Sequence, residues 1–298
     1  MPRTLILNQA NIVPNTGNST FIYQFPLGGI EFKGEFIAVQ QISLYNSVFN
    51  ISATNNNNYF SYTWVDGTSH TINLPNSYLE LNEINAYMQS VMVANKHYLL
   101  TSTGSFVYLL ELLINPSLYA DQINSYLIST TIATTNTWTL PVGATWVLPT
   151  NPICPIFVVP NTNFKNIVGY EAGNYPNATI TGTPPAQVQT PAYTITQSFI
   201  STFAPQIIPQ PSFLCTCSLV NNRLAIPSQL VYSITPQGVP FGALYTNQVA
   251  DLAFNKIEDG QYTQFNFRFI DSLGNPIVIQ DPQTLILLII KSGKELGY

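Results

Sequence analysis

Proline and glycine recur along the whole chain, 22 and 16 times in 298 residues, so uninterrupted stretches are short. Proline breaks helices and glycine frees the backbone for turns, and this punctuation selects short strands over long helices. An all-β protein is the class that such spacing favours. The chain is also long enough to build a core without metal or disulfide support.

The pattern between the breaks supports that class. Residues 36–51 alternate from Gln40 onward, with Ile42, Leu44 and Val48 on one parity, and predict a long, half-buried strand. Residues 59–64 predict a second strand, and Asp66-Gly67 a tight turn into a third at 71–74. Leu81, Ile84, Tyr87, Met88, Val91 and Met92 recur at three- and four-residue spacing behind Glu80 and Glu83, which predicts one helix over 81–94. Residues 105–114 and 118–128 read as strands around Asn115-Pro116, and a short helix is expected at 163–169. Further strands are expected at 20–25, 213–220, 230–234, 252–257, 261–270 and 284–290. The two ends of the chain together supply roughly eight or nine strands, and a jelly roll needs eight. The expected architecture is therefore a single jelly-roll β-sandwich with an inserted second domain and one short helix. Residues 1–74 together with 205–298 form the jelly roll, and 75–204 the insertion.

Composition decides how such a sandwich meets its surroundings. Hydrophobic residues are 46% of the chain, which excludes a disordered polymer, and charged residues only 8%. Ordinary soluble domains keep a surface of roughly 25–35% charged residues to stay dispersed. Here 30 asparagines and abundant Thr, Ser and Gln take their place, so much of the surface is expected to be covered by other subunits. The net charge of −5, with nine scattered Lys and Arg, leaves no footprint for specific nucleic-acid binding. The longest aliphatic run, 284–290, is too short for a membrane span. The first residues lack the apolar stretch of a signal peptide. With three cysteines, Cys154, Cys215 and Cys217, a reducing compartment is expected.

Catalytic constellations are missing from the pattern. His70 and His97 are separated by a predicted strand and helix, with no Cys or carboxylate at ligand spacing, and each is expected to be a surface or loop imidazole. Cys215 and Cys217 share a strand face and are expected to pack as small hydrophobes. Asp66, Asp259, Asp281, Glu80 and Glu83 occupy turn and helix-start positions that explain them. The aromatic run 59–64 is expected to be core, and the Asn-X-Ser/Thr sites at Asn18, Asn50 and Asn177 chance products of composition. The reading therefore names no catalytic, cofactor-binding or metal residue, no cofactor, and no enzyme.

The run Ala38-Val39-Gln40-Gln41-Ile42-Ser43-Leu44-Tyr45-Asn46-Ser47, followed by Tyr59-Phe60-Ser61-Tyr62-Thr63-Trp64, Thr71-Ile72-Asn73-Leu74-Pro75 and Ile84-Asn85-Ala86-Tyr87-Met88-Gln89, carries a resemblance. Asn163-Phe164-Lys165-Asn166-Ile167-Val168-Gly169-Tyr170, Cys217-Ser218-Leu219-Val220-Asn221-Asn222 and residues 271–276 extend it. Together they resemble the penton, or minor capsid, proteins of virophages and Maverick/Polinton-type elements, and the length is that of a mavirus-like member. The resemblance implies an upright jelly roll that forms a homopentamer at the five-fold vertices of a virion. It also implies a double-jelly-roll major capsid protein as neighbour, and assembly in the host cytoplasm. The sequence names no host receptor. A carbohydrate-binding β-sandwich for host attachment would share the aromatics and the fold, and is distinguished by being monomeric and retaining glycans. A β-sandwich hydrolase would need a pocket of shifted titratable groups, for which the sequence offers no candidate set.

Overall fold

The computed structural model describes residues 2–208, 211–236 and 238–297. The chain divides into two compact units, residues 1–49 with 210–298, and residues 50–209.

The first unit contains eight principal strands: β1 (Arg3–Leu7), β2 (Thr20–Gln24), β3 (Glu35–Tyr45), β4 (Phe213–Cys217), β5 (Leu230–Ile234), β6 (Leu244–Gln248), β7 (Gln264–Ile270) and β8 (Thr284–Ser292). One sheet runs β1-β8-β3-β6 and the other β5-β4-β7-β2, with every pairing antiparallel. In chain order this is 1-8-3-6 against 5-4-7-2, the strand order of two interlocked Greek keys, so the unit is a jelly roll. Two-residue alternation aims one face of each sheet inward. On β7 it buries Phe265, Phe267 and Phe269, which meet Phe21 of β2, Cys215 and Cys217 of β4, and Ile286 and Leu288 of β8 in one core. Phe269 packs edge-on against both Phe21 and Phe267, at centroid distances of 5.9 and 5.6 Å. Such geometry sets the positive ring edge against the negative face.

The chain leaves the jelly roll after β3 and returns at β4. The hairpin of Tyr59–Thr63 and Ser69–Asn73, expected in the jelly roll, belongs to the second unit, which moves the expected boundaries from 74 and 205 to 49 and 210. Its physical reason is pairing: Tyr59–Thr63 hydrogen-bonds to Ile156–Val159, which continues to Gly173–Tyr175, and Phe60, Tyr62, Trp64 and Ile72 are buried in that unit's core. Helix α1 (Leu81–Ala94) turns Leu81, Ile84, Met88 and Met92 into the same core. Its start is closed by Glu80 and Glu83, the amide of Glu80 donating to the Glu83 carboxylate at 2.8 Å. A hairpin of Leu110–Asn115 and Ala120–Ser125 adds Gln197–Ile200 as a third strand. Two shorter helices follow, α2 (Thr130–Thr135) and α3 (Phe164–Val168). α2 was not expected, because its Thr-rich sequence has weak helix propensity. It is held by the Ser129 side chain, which accepts from the Ile132 amide, and by buried Ala133.

Candidate functional site

Strand β8 is apolar at every position from Leu285 to Ile290, the pattern of a strand buried on both faces. Thr284, Ile286, Leu288 and Ile290 point into the sandwich and are buried, whereas Leu285, Leu287 and Ile289 point outward and are only partly buried. The register carries this outward row across the sheet. Leu287 lies opposite Ile6 of β1 and Gln41 of β3, Ile289 opposite Thr4 and Ala38, and Leu285 opposite Ser43. Ser43 faces Thr246 of β6, their hydroxyls 3.1 Å apart. Towards the rims of the same face, Ile6 is 50% and Leu244 54% exposed. Lys291 is the one charged side chain among the outward positions of these strands, and its ammonium sits 5.2 Å from the centre of the Phe254 ring. Sheets that face water carry polar residues on that side. A face of Leu, Ile, Ala and neutral hydroxyls instead gains by being covered, because apolar area leaves water favourably.

The interior of the second unit gathers the two histidines that the sequence left apart. The hairpin presents His70 and the chain just past α1 presents His97, with ring centroids 4.6 Å apart. His97 is no surface imidazole, contrary to expectation: it is 4% exposed, stacked on Trp64 at 4.7 Å, and its Nδ1 lies 2.9 Å from the Tyr62 hydroxyl. Burial, helped by neighbouring His70, lowers its pKa to about 4, against an opposing pull from Asp66. His70 is half-buried, with Nε2 3.0 Å from the Thr68 hydroxyl, which donates to Asp66 at 2.6 Å. The cluster contains no thiol or serine hydroxyl as a nucleophile. Among the described residues no group of three or more His, Cys, Asp or Glu is placed to hold a metal.

The other candidates have structural jobs. Asp259 accepts from the Gly34 amide and Asp281 from that of Gln283, at 2.9 and 2.8 Å. Cys215 and Cys217 point into the jelly-roll core, where burial pushes the Cys217 thiol up to about 12, away from the reactive thiolate. Cys154 is buried in the second unit and donates to the Gln189 side chain at 3.3 Å. Asp121, which the sequence did not single out, is 3% exposed, and desolvation lifts its pKa to about 7. Its signal is weak in sequence, because it sits in an ordinary alternating strand. The outward row of β8 had a stronger one, the unbroken apolar run itself.

Two solved structures align with nearly the whole chain. The mavirus penton protein matches 98% of this chain and 98% of its own, at 8% identity and a TM-score of 0.43. A chain in the cryo-EM structure of the Sputnik virophage matches 100% and 99%, at 11% identity and a TM-score of 0.39. No family profile and no curated protein sequence matches the chain.

Proposed function

We propose that this chain is a penton subunit, a structural protein that forms homopentamers at the five-fold vertices of an icosahedral DNA virus capsid beside a double-jelly-roll major capsid protein. The observation that carries the reading is the outward face of β1-β8-β3-β6. A jelly roll is an architecture of capsid and lectin domains alike. An almost uncharged, apolar outer sheet face suits subunits wedged side by side, because interface cores are depleted of charge. The chain's charge content of 8% fits the same arrangement. In this reading the protein resides in the virion after assembly in the host cytoplasm, and it carries out no chemical step.

A cyclic ring joins two different faces of each subunit, so a charge placed in one of them blocks closure. Leu287→Lys puts an ammonium in the middle of the outward row, where burying it unpaired is costly. Particles co-assembled with the major capsid protein are expected to show this chain as five copies at each vertex. With Leu287→Lys they are expected to lose that density, while the purified variant keeps the parent's melting temperature. Vertices that the chain cannot fill as five copies, or a Leu287→Lys chain incorporated normally, would remove the reading.

A further inference from the structure

The second unit has an open groove of about 560 Å³, a size within the range of small-molecule sites. Phe106, Tyr108, Tyr126 and Trp138 give it aromatic walls, and Glu111 and Thr196 add polar groups to its lining. Phe106 is 50% exposed, with its ring fixed between Tyr98 and Tyr108 at centroid distances of 4.7 and 6.2 Å. An exposed phenylalanine clamped by two neighbours is a rigid platform, not a stray surface residue.

Tyr126 and Glu111 of the groove's lining end a directional chain of side-chain hydrogen bonds along the Leu110–Asn115 and Ala120–Ser125 hairpin. Asn115 donates to Gln122 at 3.0 Å, Gln122 to Asn124 at 2.9 Å, Asn124 to the Tyr126 hydroxyl at 3.4 Å, and Tyr126 to Glu111 Oε2 at 2.8 Å. Ser198, on the third strand, donates to Asn124 at 2.8 Å and accepts from Gln122 at 3.0 Å. Linked donors and acceptors hold one another's rotamers, so a ligand meets a polar row whose ordering is already complete.

These two features select a chemistry. A purely apolar ligand would gain from the rings but displace water from the Glu111 carboxylate without replacing its hydrogen bonds. An anion is disfavoured, because the residues lining the groove include a carboxylate and no lysine or arginine. A molecule with C–H faces and hydroxyl edges satisfies both, since the negative face of an aromatic ring attracts C–H groups and the amide row accepts and donates to hydroxyls. We propose that the second unit binds a neutral saccharide, one sugar ring resting on the aromatic groove and its hydroxyls bonded to Glu111 and the amide row. The site is built by this unit alone and does not depend on the capsid reading.

The test uses the full chain on an array of immobilised neutral oligosaccharides of the glucose, galactose, mannose and N-acetylglucosamine series, with sialylated and sulfated glycans beside them. Retention of at least one neutral series is expected. The retained oligosaccharide, titrated in solution to about 1 mM, is expected to change the tryptophan emission through Trp138. Phe106→Ala and Glu111→Gln are each expected to weaken that binding about tenfold, because one removes the ring platform and the other the charged acceptor. Both are expected to melt with the parent, Phe106 because it is half-exposed and Glu111→Gln because it keeps its shape. Retention of no neutral glycan, retention of anionic glycans alone, or binding that survives both substitutions undiminished would each overturn the proposal.

Discussion

Two buried titratable residues of the second unit work against each other as pH falls. His97 is neutral in the fold, its pKa lowered from 6.5 to about 4 first by desolvation and then by His70, so the unfolded chain takes up a proton sooner. Its contribution is complete above pH 6.5 and is lost as pH falls from there to about 4. Asp121 has the opposite sign: desolvation raises its pKa from 3.8 to about 7, so its buried charge costs stability above pH 7, and that cost disappears as pH falls toward 4. All three tryptophans, Trp64, Trp138 and Trp146, lie in this unit, so their fluorescence during urea unfolding reads it selectively. Asp121→Asn is expected to raise the midpoint at pH 7.5 by the equivalent of about 2 kcal/mol and to expose the histidine's loss of stability between pH 6.5 and 4. A variant whose midpoint follows the parent's at every pH would show that Asp121 carries no such cost. None of this was legible in the sequence. His70 and His97 are distant along the chain, and what joins them is the packing of a hairpin against the end of α1, a long-range outcome that local pattern does not encode.

Elements that repeat a strong local pattern were readable, and those defined by their neighbours were not. Helix α1 occupies the expected 81–94, because its apolar stripe and acidic first turn agree. Strand β6 was missed and a strand was expected at 252–257 instead. β6 is an edge strand whose alternate side chains are exposed, leaving little apolar signal, while 252–257 holds the short Asn255–Lys256 pairing to β3 and a single bridge from Ile257 to Val220. β1, another edge strand, was missed because its apolar run, Leu5-Ile6-Leu7, is too short to establish an alternation. The end of α3 shows how severely a neighbour constrains an element. Gly169 caps that helix at φ +73, and an added Cβ would lie 2.3 Å from the Phe203 carbonyl oxygen and 3.1 Å from the Pro205 nitrogen. The Phe203 amide in turn donates to the Gly169 carbonyl at 3.0 Å, so the contact cannot open without breaking that bond. Gly169→Ala is expected to cost about 2–4 kcal/mol by urea unfolding. Gly143, at φ +80 with nothing near its Cβ position, is the control, and Gly143→Ala is expected to cost about 1 kcal/mol. Equal costs at the two sites would mean that the backbone around Gly169 yields freely.

At the scale of the molecule, the jelly roll with its insertion was legible because strand count and chain ends agreed, and the boundary was not. The hairpin at 59–73 reads equally well as a jelly-roll or an insertion element until its partner strand at 156–159 is known. Asn50, one of the Asn-X-Ser/Thr sites expected to be incidental, marks that boundary. Its side chain is buried and donates to the carbonyls of Leu79 and Ile207, at 2.8 and 2.9 Å. The second unit therefore begins and ends at one point, which bears on the order of events in folding. An unstructured excursion over residues 50–209 would charge the closure of β3 onto β4's sheet partners a loop entropy on the order of 4 kcal/mol. Once the second unit has folded, its ends are a hydrogen bond apart and most of that entropy has already been surrendered to its own core. Tryptophan fluorescence is thus expected to recover before the amides of β3 and β8 become protected in pulse-labelled hydrogen exchange during refolding. Protection of β3 and β8 ahead of the fluorescence would reverse the order. The insertion is then a clasp in time as well as in space: the two halves of the jelly roll wait for it, and the sandwich closes around a chain already drawn together.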